Sequence, residues 1–132
     1  MSFIKIFLTA FPVFLLIDAV WLGIISSDFY SKELGGLARR EGPSLSPNWF
    51  PAFLSYALIV LGIAVFVIPR SESREQSLLF GFLFGIIAYG VYDLVNLATL
   101  EGWSLKMTIV DMLWGGMVCG IVSAITYYLN RM

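Results

Sequence analysis

The 132-residue chain is 59% hydrophobic and 13% charged, and its mean hydropathy of +0.87 lies outside the range of soluble globular domains. A net charge of −1 gives no reason to expect a nucleic-acid partner or a polybasic lipid-binding tail. With no histidine there are no imidazole bases, imidazole metal ligands or ordinary pH switch. The single Cys119 has neither a disulfide partner nor a histidine beside it, and reads as a small packing residue.

A membrane-spanning helix needs about 20 mostly apolar residues. The first such window runs near Phe3 to Ile25. Its apolar run is too long for a signal-peptide core and no A-x-A-like site follows, so the segment is expected to remain in the mature chain. Residues 26–48 form a connection that holds the largest share of the charge, 6 of the 17 charged residues; it is expected to be mobile, with a short interfacial helix around Phe29 to Leu37 acting as a lid. The second window runs near Trp49 to Ile68, the third near Ser77 to Leu100 and the fourth near Met107 to Leu129. Short connections, RSESREQ and EGWSLKM, make the later neighbours antiparallel. The expected fold is all-α, an antiparallel four-helix transmembrane bundle forming one domain over residues 1–132, with no strand. Gly81 and Gly85 in the third span, and Gly116 and Gly120 in the fourth, are spaced for close helix approach. Four crossings put both termini on one side. Lys and Arg divide four against four between the two sides, and the α-amino group tips the count towards cytoplasmic termini.

Three aspartates fall inside spans. From a rise of about 1.5 Å per residue, Asp18 lies roughly 10 Å before the outer end of the first span and Asp93 roughly 10 Å before that of the third. Asp111 lies roughly 6 Å after the outer start of the fourth. All three therefore share one leaflet, whichever side is outer. Tyr89, Asp93 and Asn96 occupy one helical face, and Thr99 continues it towards the surface. The spacing D-x-x-W-x-G occurs twice, at Asp18 and Trp21 and again at Asp111 and Trp114. Because the two helices run oppositely, one indole is expected above the carboxylates and the other beside or below them. Trp49 and Trp103, at span ends, read as interfacial belt residues. A lipid-facing charge costs on the order of 2.5–3.5 kcal/mol at mid-bilayer, so the carboxylates should face inward. No Lys, Arg or His lies within the spans beside them, so protons, hydrogen bonds, water or a bound cation must compensate. That makes the layer a candidate site.

The stretches ID-x-x-W-LG, YDL-x-N-x-x-T and D-x-x-WG, on four spans, resemble the membrane-protein family catalogued as domain of unknown function 2177. The matching positions are Asp18, Trp21 and Leu22; Tyr92, Asp93, Leu94, Asn96 and Thr99; and Asp111, Trp114 and Gly115. The resemblance implies a multi-pass protein of the bacterial inner membrane with no assigned activity, and hints at a role accessory to lipid modification. Three functions stay open. One is an outer-leaflet cavity that binds a membrane lipid or other amphiphile, with Trp21 and Trp114 as apolar walls and the Asp and Asn groups orienting a polar head. Another is a proton-coupled transporter of a cationic substrate, acting as a homodimer. The last is a carboxylate-dependent membrane enzyme, disfavoured because no nucleophile lies at a suitable spacing. No cofactor and no metal are expected.

Overall fold

The computed structural model describes residues 2–132. Four helices are long and apolar enough to cross a membrane, over Phe3–Ile25, Trp49–Arg70, Arg74–Thr99 and Leu105–Asn130. Helix α1 (Phe3–Val20) starts where the Ser2 hydroxyl accepts from the Lys5 amide at 3.1 Å. It passes into a π-helical turn, Trp21–Ile25, closed by Ser26 N–H donating to the Trp21 carbonyl at 2.8 Å. The surface helix α2 (Ser27–Leu34) follows and stops at Gly35, whose φ of +54° lies in the left-handed region open to glycine.

The expectation of no strand is corrected on a small scale. Arg40–Glu41 (β1) and Ser44–Leu45 (β2) pair antiparallel, turned at Gly42 with φ +62°. This hairpin is tied to α2, because the Arg40 guanidinium donates to the Ser31 hydroxyl at 2.7 Å and to the Gly35 carbonyl at 2.9 Å. The bundle itself is all-α.

Helix α3 (Trp49–Gly62) also ends in a π-helical turn, Ile63–Val67, before a short 3-10 turn at Ile68–Arg70. Helix α4 (Arg74–Thr99) is capped by Ser73 accepting from Gln76 N–H at 3.1 Å, and α5 (Leu105–Asn130) by Ser104 accepting from Met107 N–H at 3.0 Å. Around the bundle α1 packs between α3 and α5, and α5 packs between α1 and α4. Ile6, Ala10, Phe14, Val60, Ile63, Val67, Val118 and Val122 fill the centre.

The tightest contact is α4 on α5. A Cβ added at Gly85 would run into the Gly115 backbone, and one at Gly81 into the Cys119 carbonyl and Ser123. Only helices without side chains at these points can approach so closely, and that approach brings the polar residues of α4 and α5 into one layer.

Candidate functional site

Asp18 is buried, at 3% exposure, and satisfied on both oxygens. Tyr56 donates its hydroxyl to Oδ2 at 2.6 Å and Trp114 donates Nε1–H to Oδ1 at 2.9 Å. Phe14, one turn deeper on α1, packs its ring against Tyr56 at 5.5 Å. Asp111, half-buried on α5, accepts from the Tyr30 hydroxyl at 2.9 Å. Tyr30 in turn accepts from Trp21 Nε1–H at 3.3 Å. Donors from neutral aromatic side chains thus replace the missing cations. Among the described residues the one ion pair is Arg74–Glu75, exposed at the start of α4.

The repeated D-x-x-W spacing resolves into a crossed arrangement. Each tryptophan serves the other helix's aspartate: Trp114 bonds Asp18 directly, and Trp21 reaches Asp111 through Tyr30. The expectation that the indoles sit at different levels is corrected, since they stack face to face with centroids 4.4 Å apart and planes 8° from parallel. Side-chain direction explains it. Every helical side chain leans towards the helix N-terminus. Trp21, on a helix running towards α2, leans away from it; Trp114, on a helix running away from α2, leans towards it. The two converge.

Asp93 has no exposure, and neither of its oxygens has a hydrogen-bond donor among the described residues. Its carboxyl group faces that of Asp111, close enough to share a hydrogen bond. Two ionised carboxylates would repel at that separation, so the pair needs a proton, a cation or a donor between its members. Tyr89, another expected site residue, lays its ring on Gly115 and lies among Asp18, Asp111, Tyr56 and Cys119.

Three expected residues lie at the edge of this cluster, towards the surface. Tyr92 is 58% exposed and meets Trp103 edge-on at 5.8 Å. Asn96 is half-buried beside Tyr92. Thr99 is exposed and donates its hydroxyl to the Val95 carbonyl at 2.8 Å. Trp103 is more than a belt residue, because it donates to Thr108 at 3.0 Å, while Trp49 is exposed as a belt residue would be.

Tyr30 and Tyr56 are the residues that sequence reading missed. Tyr56 stands seven residues into the second span, roughly 10 Å from the end nearest α2, which is the depth reckoned from the sequence for Asp18. That match was the available signal. Tyr30 offered none, because its role depends on how α2 folds back. α2 covers the end of the site away from the chain termini, held by the Tyr30–Asp111 bond, by Ser104 donating to Glu33 at 2.8 Å, and by Lys106 lying 5.7 Å above the Phe29 ring. Burial, and then the negative Asp111, push the Tyr30 hydroxyl well above its ordinary range, so it stays a donor at neutral pH.

No curated protein and no solved structure matches the chain. A family model described as predicted membrane protein (DUF2177) matches residues 3–128, nearly the whole chain, and the protein belongs to that family of membrane proteins.

Proposed function

We propose that the protein binds an amphiphile in the outer leaflet of a bacterial inner membrane, with its termini in the cytoplasm and α2 as the lid over the bound head group. The observation that carries this reading is Asp93: a fully buried carboxyl group with no donor, beside a second carboxyl group. A cationic or hydrogen-bond-donating head beside the Asp93–Asp111 pair supplies the donor that Asp93 lacks and the positive charge that neither carboxyl group has nearby. An apolar groove of about 540 Å³ runs along the lipid-facing side of the same layer, lined by Ile86, Ile87, Val91, Leu94, Val95 and Met112. Leu94 and Met112 in its lining follow Asp93 and Asp111 in sequence, so the groove runs at the depth of the carboxyl pair, on a neighbouring face of α4 and α5.

The test is a native mass spectrum of protein extracted in mild detergent. The wild type is expected to retain a lipid or other amphiphile, and Asp93→Asn to lose it while keeping its fold. A wild type free of bound amphiphile, or an Asn variant that retains it equally, rejects the reading.

A second reading, proton-coupled export of a cationic substrate by a dimer, also draws on the carboxyl pair, which one shared proton would satisfy. The placement of all three aspartates in one leaflet favours binding, because alternating-access sites usually lie near the midplane. Substrate-driven proton movement in vesicles would favour the dimeric exporter instead.

A further inference from the structure

A second polar layer lies at the opposite end of the bundle. Ser123 and Thr126 on α5 have no exposure, yet neither hydroxyl has a hydrogen-bond partner among the described residues. Asn130, 9% exposed, donates Nδ2–H to the Thr126 carbonyl at 2.9 Å but leaves its side-chain oxygen unpartnered. Their spacings of three and four residues put all three on one helical face. Buried groups of this kind cost free energy unless something bonds them, and three within two turns suit ordered water, which binds two to four polar partners.

The same face continues upward. Cys119 lies one turn above Ser123 and packs at Gly85, and one turn further up the same seam the Tyr89 ring lies on Gly115. From Asn130 to Asp111 is roughly 28 Å along α5, close to the thickness of the hydrocarbon core. The π-helical turn Ile63–Val67 packs on α5, the helix that carries the inner layer, and the turn Trp21–Ile25 carries Trp21 of the outer one; such turns recur at functional sites.

We propose that water held by Ser123, Thr126 and Asn130 forms the inner half of a proton path that reaches the Asp93–Asp111 pair through Cys119 and Tyr89. A proton entering from the inner face moves by exchange: each oxygen or sulfur gains one proton and releases another, and the carboxyl pair takes up the last and releases its own proton towards the opposite face. Only O–H and S–H bonds form and break, so the net change is one proton moved.

The experiment uses the full chain in liposomes containing a pH-sensitive dye, with a potassium diffusion potential driving protons. Wild type is expected to change the internal pH several-fold faster than protein-free liposomes. Thr126→Val, which removes the hydroxyl and keeps the shape, should lose that excess, and Thr126→Ser should restore it. Ser123→Ala serves as the second probe where Thr126→Val does not fold. Wild-type flux equal to that of empty liposomes, or equal flux in folded Thr126→Val and wild type, overturns the proposal. Amphiphile retention is expected to survive Thr126→Val, so failure of the proton path and failure of the binding reading are separate results.

Discussion

Tyr30→Phe removes a single oxygen from the point where α2 closes over the carboxylates. That oxygen donates to Asp111 at 2.9 Å and accepts from Trp21 Nε1–H at 3.3 Å. A hydrogen bond to a charged group is worth about 1.5–3 kcal/mol, and the longer indole bond adds about 0.5–1 kcal/mol. α2 keeps its other anchors, Ser104–Glu33 and Lys106–Phe29, so the bundle should stay folded while local opening of α2 becomes easier by about 2–4 kcal/mol. Amide hydrogen exchange in α2 should then accelerate by roughly 30- to 900-fold, with exchange in α4 and α5 unchanged. The pH dependence has a definite sign. A tyrosine whose folded-state pKa is raised contributes stability that is fully present below its unfolded value, about 10, and is lost only as pH climbs above that towards the folded value. Between pH 7 and 9 the wild-type protection of α2, corrected for intrinsic exchange, should therefore hold. Equal α2 exchange in wild type and Tyr30→Phe would refute the idea that this hydroxyl latches the lid.

Gly85→Ala should lower the unfolding midpoint in detergent, by about 1–3 kcal/mol, because the new methyl meets the Gly115 backbone rather than a side chain that could turn away. Gly23→Ala, with open space around it, should be neutral or slightly stabilising in the same assay. Asp93→Asn should keep or raise thermal stability by ending a like-charge conflict, whereas Asp93→Leu should destabilise by leaving Asp111 without its buried polar neighbour. Trp114→Phe and Tyr56→Phe each remove one donor from Asp18 and should each cost about 1.5–3 kcal/mol. Their double variant should depart from additivity by about 0.5–3 kcal/mol, since both act on one carboxylate; strict additivity would argue that Asp18 is solvated independently of them.

The spans were readable because insertion depends on summed hydropathy along one helix: the window expected from Trp49 ends two residues short of the helix, and the third begins three residues late. The common depth of Asp18, Asp93 and Asp111 was readable for a similar reason, since it requires only helix order and a constant rise. Rotation about each helix axis was harder to read. Thr99 lies on the expected stripe by spacing, yet it is exposed and spends its hydroxyl on the Val95 carbonyl of its own helix. The π-helical turns were also hidden, because an extra residue in a turn is favoured by what the helix packs against rather than by its own composition. Even so, the stacking of Trp21 on Trp114 follows from a rule available at the outset. Side chains on antiparallel helices lean towards each other when the outward-running helix carries its residue nearer the surface and the inward-running helix carries its residue deeper. A D-x-x-W spacing on two such helices therefore tends to exchange partners, with each indole drawn towards the aspartate of the other span. Here the exchange is direct for Asp18 and lengthened by one tyrosine for Asp111. That added tyrosine comes from the lid, so of the two aromatic-bonded aspartates, Asp111 alone loses its donor when the lid opens.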